Sequence, residues 1–175
     1  MNNINENKII IRPAVATDAN DVAEVCMSSW ESAYKDFVPA EYMRERRKRI
    51  FTTTEQNLND EKINHYYYTI LLSDIIIGFL VVAPSRDEDT DDSVYEVGAI
   101  YLHPEYYRQG IGTQAMEFAC NIARALNKKT MIVWVFADNH ASIGFYKKCG
   151  FTEDGTSRIL ECGKPLNTIR MRKDL

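Results

Sequence analysis

The chain has 175 residues, of which 45% are hydrophobic, and it carries a formal net charge of −4 with a pI near 5.4. This length suits one globular domain with a substantial core, so we predict a single domain over residues 1–175. The acidic balance argues against general nucleic-acid binding, and the apolar runs are too short to cross a bilayer. We therefore expect no nucleic-acid or membrane partner, and small-molecule chemistry is the favoured class of function.

The N-terminus and the cysteines set the expected compartment. Residues 1–8 are polar and lack the apolar segment of a secretory signal, which predicts a cytoplasmic protein. The four cysteines are Cys26, Cys120, Cys149 and Cys162. They are widely spaced, without a C-x-x-C pair or clustered histidines, so we expect buried free thiols and no bound metal.

The first part of the chain predicts one strand and two helices. The strand is expected over Lys8–Arg12, and the first helix extends from Thr17, as N-cap, to about Tyr34. A second helix is expected to begin near Pro39. Its predicted apolar side holds Tyr42, Met43, Ile50 and Phe51.

A β-hairpin is predicted next. Residues 52–64 are polar and receive no assignment. The segments 65–72 and 75–83 are rich in aromatic and β-branched residues, and Ser73-Asp74 lies between them. This pattern predicts two strands joined by a tight turn.

Two charged segments interrupt the apolar pattern. The basic run Arg44–Arg49 is interpreted as a solvated helix face, with a phosphate- or partner-binding patch as the alternative. The segment Arg86–Asp92 has five acids against one arginine and is interpreted as a solvated loop, with recruitment of a cationic substrate as the alternative.

A buried strand followed by a glycine-rich helix start marks the middle of the chain. Val94–Leu102 predicts the strand, and Gly110-Ile111-Gly112 opens an amphipathic helix. Glycines at a helix start allow backbone N–H groups to converge on an anion, which the helix dipole also attracts. The stripe expected to pack in the core is Ile111, Ala115, Phe118, Ala119, Ile122 and Leu126.

The remaining elements are a central strand, a short helix and a closing hairpin. The strand is expected over Met131–Ala137 and the helix over about His140–Lys148, with Gly150 at its C′ position. The segments 151–162 and 166–172 predict the hairpin. The exposed edge of this hairpin is a candidate surface for a homodimer. The alternative is that charged residues such as Arg170, Arg172 and Lys173 prevent pairing with another strand at this edge.

The glycine motif allows more than one ligand. Gly110 to Ala115 satisfies G-x-G-x-x-A, the dinucleotide fingerprint, but His103–Gln109 separates the strand from the first glycine. A plain tight turn is the other alternative, and no P-loop sequence occurs.

A second motif favours one of these alternatives. It has the form N-x-x-[AS]-x-x-[FY]-Y-x-x-x-G-F and matches at Asn139, Ser142, Phe145, Tyr146, Gly150 and Phe151. Together the two motifs resemble the GCN5-related N-acetyltransferase (GNAT) family, over nearly the whole chain. The resemblance implies a mixed α/β fold with a splayed, mostly antiparallel sheet of about seven strands and about four helices.

The resemblance also implies acetyl-CoA as acetyl donor, and no metal. The implied cofactor-binding residues are Ile100, Tyr101, Leu102, Tyr107, Arg108, Gln109, Gly110, Ile111, Gly112, Thr113, Asn139, Ser142 and Tyr146. Tyr107 departs from the family pattern, which usually has Gln or Arg there, and Arg108 is a suitable substitute for phosphate contact. Asn139 is also a candidate helix N-cap, and both roles are compatible.

Two residues are assigned catalytic roles by the same resemblance. Glu96 matches a position where many members carry a base, although a paired or solvent-facing carboxylate is the alternative. Tyr146 matches the tyrosine that protonates the leaving thiolate, against a role in packing alone.

The acceptor site is expected at the end of the first helix. Trp30 and Tyr34, with Glu96, are the candidate acceptor-binding residues, and core packing is the alternative for the two aromatics. We predict N-acetylation of a small-molecule primary amine, such as a polyamine-like cation. The alternatives are a protein N-terminal or lysine acetyltransferase, and a CoA-binding sensor without turnover.

Overall fold

The computed structural model describes residues 8–175 and shows a mixed α/β fold with one seven-stranded sheet and four α-helices, as predicted. The strands are β1 (Ile9–Pro13), β2 (Tyr67–Leu72), β3 (Ile75–Pro84), β4 (Val94–Leu102), β5 (Thr130–Phe136), β6 (Thr152–Glu161) and β7 (Pro165–Asp174). The helices are α1 (Ala19–Tyr34), α2 (Ala40–Asn59), α3 (Ile111–Ala125) and α4 (His140–Lys148). Residues 1–7, where we predicted no secretory signal, lie outside the described part.

The sheet splays between its two central strands. The strand order is β1-β2-β3-β4-β5-β7-β6, and β4 and β5 run parallel whereas the other described neighbours are antiparallel. Pairing of β4 with β5 extends from Val94 to Val97 and then ends. A bulge at Gly98 shifts the register against β3 at this point, and bulges bend a strand. The strand edge from Gly98 to Leu102 therefore faces a gap.

One helix pair covers each face of the sheet. Helices α3 and α4 pack on one face, where Ala115, Ala119 and Ala123 are fully buried and let α3 approach the strands closely. Leu126 was predicted to share this stripe, but it is 50% exposed because α3 ends at Ala125. Among residues 8–175, no helix is long and apolar enough to span a membrane.

Helices α1 and α2 cover the other face. Helix α2 includes most of the unassigned segment 52–64, and Met43, Thr54 and Leu58 are its buried side chains. The prediction that Phe51 faces the core is wrong, since 42% of it is exposed. The buried stripe instead follows Ile50, Thr54 and Leu58 at four-residue intervals, and Phe51 lies at its border.

The tight turn between β2 and β3 confirms the predicted hairpin. Ser73 and Asp74 both have positive φ, of 49° and 69°. Positive φ at both central residues is the geometry of a type I′ turn, whose twist matches that of two antiparallel strands.

Candidate active site

The start of α3 forms an anion-binding nest. Gly110 is the N-cap residue with φ +79°, and open space surrounds the place where a Cβ would lie. Arg108 also has a positive φ, of 60°. The first N–H groups of a helix have no acceptor within the helix, and its dipole favours negative charge there. This loop and first turn therefore suit a phosphate group.

Close packing joins the two sequence motifs. A Cβ on Gly112, in the first turn of α3, would lie 3.3 Å from Cε2 of Phe145 in α4. Asn139 caps α4: its Oδ1 accepts the Ser142 N–H at 3.1 Å, and its Nδ2 donates to Ser142 Oγ at 2.8 Å. The expected N-cap role is thus confirmed, and contact of Asn139 or Ser142 with the cofactor remains a prediction.

Two alanine substitutions test this packing. Gly144 lies inside α4 and a Cβ there meets no atom within 4 Å, so Gly144→Ala should stabilise the protein by about 0.5–1 kcal/mol. Gly112→Ala should stabilise the protein less than Gly144→Ala, or destabilise it, because the new methyl group presses on the Phe145 ring. Urea denaturation of both variants measures the difference, and equal stabilisation would show that Phe145 does not restrict Gly112.

The side chains of the loop before α3 are mostly engaged within the protein. The Tyr107 hydroxyl lies 3.0 Å from Ser29 Oγ of α1, so this residue ties the loop to the opposite helix pair. Gln109 Nε2 donates to the Glu105 carbonyl oxygen at 3.0 Å. Arg108 is exposed, and it is the cation of this loop placed to reach a phosphate.

Other residues predicted to bind the cofactor have buried or partly buried side chains, so it is their backbone N–H and C=O groups that a ligand can reach. The Ile111 side chain is 4% exposed and packs in the core with Ile70 and Ile77, so its N–H is what remains for a ligand. Ile100 and Leu102 pack against the same cluster. The edge of β4 that faces the gap supplies their N–H and C=O groups for an extended ligand.

Three tyrosines meet near the gap between β4 and β5. Burial raises the pKa of Tyr34, Tyr101 and Tyr146, and the Tyr101 hydroxyl raises the pKa of the other two further. All three phenols are therefore protonated at neutral pH and can donate a proton or a hydrogen bond. The sequence indicated Tyr146 for this role, whereas it placed Tyr101 among the cofactor-binding residues of the strand and gave it no part in proton transfer.

Tyr34 of α1 belongs to this tyrosine cluster, defined by Tyr34, Tyr101 and Tyr146, and Trp30 lies beside it. The two aromatics of α1 have ring centroids 4.8 Å apart, and Tyr34 packs edge-on against Phe136 at 5.1 Å. They are 6% and 9% exposed, which makes them core aromatics in this structure. Their contact with an acceptor remains a prediction.

Glu96 occupies a different neighbourhood on β4. It is 7% exposed and pairs with Ala83 on β3 and Ile132 on β5. Burial raises its pKa and the charge of Asp87 adds to this effect, whereas Arg86 and Arg158 oppose it. No tyrosine of the cluster is among the groups that shift it.

Ion pairs and a hydrogen bond hold the acidic loop, Arg86–Asp92, against the sheet. Arg170 of β7, 7% exposed, pairs with Asp87 at 3.0 Å, Asp89 at 2.7 Å and Asp154 at 2.6 Å. Trp134 Nε1 also donates to Asp87 at 3.0 Å. The prediction of a solvated loop is therefore wrong for Asp87, whose side chain is 10% exposed. Its partners are 47 to 83 residues away in sequence, so no local pattern revealed them.

The basic run of α2 is partly an interhelical surface. Arg47 pairs with Glu24 and Glu31 of α1 at 3.2 and 3.0 Å. Arg46 is half-buried, with its guanidinium carbon 3.8 Å from the centroid of the Trp30 ring. The prediction of a solvated face is therefore wrong for Arg46, which turns towards the aromatic residues of α1.

Two surface cavities lie apart from the anion nest. One of about 340 Å³ lies between β1 and α3, lined by Ile9, Ile11 and Phe118. The other, of about 160 Å³, lies beneath the acidic loop and is lined by Ile132, the strand neighbour of Glu96. Glu96 itself is not among the residues that line the second cavity.

The family assignment follows from comparison with known proteins. A model of the acetyltransferase (GNAT) family matches residues 27–151. The chain is 27% identical to the N-acetyltransferase YuaI of Bacillus subtilis over 141 residues, 79% of this chain and 78% of that protein. It is 31% identical to the peptidyl-lysine N-acetyltransferase YjaB of Salmonella typhimurium over 113 residues, 59% and 74% of the respective chains.

A solved structure shares the fold. The PaiA N-acetyltransferase from Thermoplasma acidophilum, solved in complex with coenzyme A, superposes with a TM-score of 0.77 at 22% identity. The match covers 96% of this chain and 99% of that one. Because the family model covers most of the chain and includes both motifs, the chain belongs to the acetyltransferase (GNAT) family of acetyl-CoA-dependent N-acetyltransferases.

Proposed function

We propose that the protein transfers the acetyl group of acetyl-CoA to the primary amine of a small molecule. The observation that carries this proposal is the position of a buried, protonated tyrosine cluster near the gap between β4 and β5. The anion nest at Gly110 lies just beyond the end of β4. A phosphate-bearing ligand held at the nest and extended along this strand edge has its reactive end near the tyrosines.

The residues present fit acetyl-CoA, which supplies an acetyl group activated as a thioester. The amides of the first turn of α3 and the exposed Arg108 are suited to its phosphates. The free edge of β4 from Gly98 to Leu102 is suited to pair with the amide groups of its extended arm. Backbone N–H groups of this edge would also polarise the thioester carbonyl.

Glu96 is proposed to remove the proton from the acceptor amine. A lysine-type amine has a pKa of about 10.4 and is charged at neutral pH, whereas the attacking amine must be neutral. Burial raises the pKa of Glu96, which makes its carboxylate a better base than an exposed one. A bridging water is compatible with this role when the amine is not in direct contact.

Tyr146 is proposed to protonate the leaving thiolate. It is 7% exposed, and burial raises its pKa further above neutrality, so the hydroxyl retains its proton until the thiolate forms. The nearby Tyr101 raises the pKa of Tyr146 further.

The acidic loop, whose Arg86 backbone N–H donates to Glu96, bears on the size of the acceptor. The ion pairs of Arg170 fix this loop, and the adjacent cavity of about 160 Å³ suits a small molecule better than a folded protein surface. The polyamine-like acceptor has weaker support, because Arg170 neutralises part of the acidic loop. Peptidyl lysine is the second candidate, favoured by the 31% identity to YjaB.

An acceptor screen tests the proposal. We expect release of CoA thiol with at least one small amine, and slower release with lysine-containing peptides. Thermal stabilisation by acetyl-CoA, and none by NAD(P), is expected in parallel. Tight CoA binding without turnover across the whole panel would favour the sensor, and faster turnover of the peptides would favour the lysine acetyltransferase.

The pH profile tests the role of Glu96. Because a base must be deprotonated and burial raises this pKa above its ordinary 4.5, kcat/KM should fall on the acid side at a pH above 4.5. In Glu96→Gln this acid limb should disappear and kcat/KM should be lower at neutral pH. An unchanged limb in the variant would assign it to another group.

A further inference from the structure

Arg46 carries a positive charge that no group in the described structure neutralises. No carboxylate of residues 8–175 lies within 4.0 Å of its guanidinium, whereas its neighbours Arg47 and Lys48 are both paired with glutamates. The hydrogen-bond acceptor of Arg46 is Cys26 Sγ, 3.4 Å from Nη2. Burial raises the pKa of this thiol, which is therefore neutral and leaves the charge of Arg46 uncompensated.

Two buried N–H donors at this place lack a hydrogen-bond partner within residues 8–175. They are Arg46 Nε and Trp30 Nε1. The guanidinium stacks over the indole ring at 3.8 Å, so the two donors belong to one small region between α1 and α2. The Tyr101 hydroxyl makes a hydrogen-bonding contact with Trp30 that falls outside regular geometry, and it makes no such contact with Arg46 Nε. Buried donors are almost always satisfied, so this pair indicates a missing acceptor.

The region lies next to the predicted reaction centre. Tyr101 is near enough to both Arg46 and Tyr146 for charge effects on the pKa values: Arg46 lowers that of Tyr101, and Tyr101 raises that of Tyr146. A group bound by Arg46 and Trp30 would therefore be separated from Tyr146, the predicted acid, by Tyr101. Helices α1 and α2 also provide the predicted acceptor-binding residues Trp30 and Tyr34.

We propose that Arg46 and Trp30 form a carboxylate-binding subsite, and that the acceptor amine is an amino acid or a similar amine carrying a carboxylate. This inference rests on the proposed function and names its acceptor class. A guanidinium pairs with a carboxylate through two parallel hydrogen bonds, and the indole N–H is a third donor. One uncompensated positive charge matches a monoanion, whereas a phosphate dianion requires a second cation.

Pairs of acceptors that differ by one carboxylate provide the test. Ornithine and putrescine, lysine and cadaverine, and phenylalanine and phenethylamine are such pairs. For the preferred pair, kcat/KM of the amino acid should exceed that of the amine by about tenfold or more, the effect expected of a charge-assisted hydrogen bond. In Arg46→Met this preference should be lost through a higher KM for the amino acid, with the amine unaffected.

Two variants separate recognition from structure. Arg46→Lys keeps the charge but not the fork, and should retain a weakened preference. Arg44→Met removes an exposed arginine of the same helix and should leave the preference unchanged. An equal loss with both members of a pair in Arg46→Met, or no preference in the unmodified protein, would overturn the subsite.

A binding measurement keeps the subsite testable without turnover. The chain has two tryptophans, so in Trp134→Phe the fluorescence comes from Trp30. Titration of this variant with the amino acids, in the presence of CoA, should change the emission saturably, and the decarboxylated amines should not. Saturation that depends on Arg46 without any acetylation would support the subsite and contradict the proposed function. Acetylation without any carboxylate preference would support the proposed function and contradict the subsite. If neither a saturable change nor turnover occurred, the subsite and the proposed function would both be overturned.

Discussion

Replacing Tyr146 with phenylalanine is expected to lower kcat by about 10²–10⁴-fold, the range typical of a lost general acid. The ring should stay in place, because its contacts with Phe145 and Phe151, at centroid distances of 5.2 and 5.9 Å, do not involve the hydroxyl. The Kd for CoA should therefore be unchanged. Thiol release under saturating acetyl-CoA measures kcat, and calorimetric titration measures the Kd.

A matched tyrosine provides the control. Tyr68 of β2 packs edge-on against Phe118 at 5.2 Å and has no predicted part in the chemistry, so Tyr68→Phe should leave kcat unchanged. An unaltered kcat in Tyr146→Phe would show that another group donates the proton, and Tyr101 is the first candidate. A large rise in the Kd for CoA would instead indicate that Tyr146 acts by shaping the cofactor site.

Replacing Arg170 with methionine is expected to destabilise the protein by about 3–5 kcal/mol at neutral pH, the cost of removing one partner from a buried ion pair. Arg170 and Asp87 have side chains 8% and 10% exposed, and Asp154 is 16% exposed. The variant therefore leaves Asp154 without its cation and Asp87 with the half-exposed Arg158 alone. Such a loss is a large share of the 5–15 kcal/mol by which proteins of this size are usually stable. Urea denaturation measures it.

The pH dependence of this loss has a definite sign. Burial raises the pKa of Asp154, but the Thr156 backbone N–H and Arg170 outweigh this effect and leave the pKa below its ordinary 3.8. A lowered pKa stabilises the fold above the ordinary value, and this contribution is lost as the pH falls through the lowered pKa. The difference between the unmodified protein and Arg170→Met should therefore be largest at neutral pH and should shrink below about pH 3.8.

Arg158 offers the control for this substitution. It pairs with the same Asp87 at 3.2 Å, but its side chain is 50% exposed. Arg158→Met should therefore cost less than about 1 kcal/mol, the usual limit for an exposed pair. A similar cost for both variants, or a cost for Arg170→Met that does not depend on pH, would show that the ion pairs do not hold the acidic loop.

Local signals in the sequence predicted most elements. The turn at Ser73-Asp74, the strand Val94–Leu102 and the helix His140–Lys148 each depend on a few adjacent residues, and all three occur as predicted. The extension of α2 to Asn59 was missed because its polar surface hides a buried stripe of only a few side chains. Composition does not reveal which turn of such a helix touches the core.

The candidate site was predictable in part for the same reason. The glycines of the nest and the cap at Asn139 act through neighbouring residues, so their pattern is visible along the chain. The partners of Arg170 and the contact of Arg46 with Trp30 join separate segments, so the sequence around these residues does not show which groups they contact. An arginine at a core-facing position of β7, two residues after the buried Thr168, was the available signal.

The splay of the sheet also bears on how the chain folds. Strands β1 to β4 all come from residues 9–102, and β5 to β7 from residues 130–174, so each half of the sheet is built from one continuous stretch. Four residue pairs between β4 and β5 join the halves. Parallel pairing across a helical connection forms slowly compared with adjacent hairpins. Each half therefore has its own strand order within one stretch of chain, and the four β4–β5 pairs are the backbone pairing that joins the two halves.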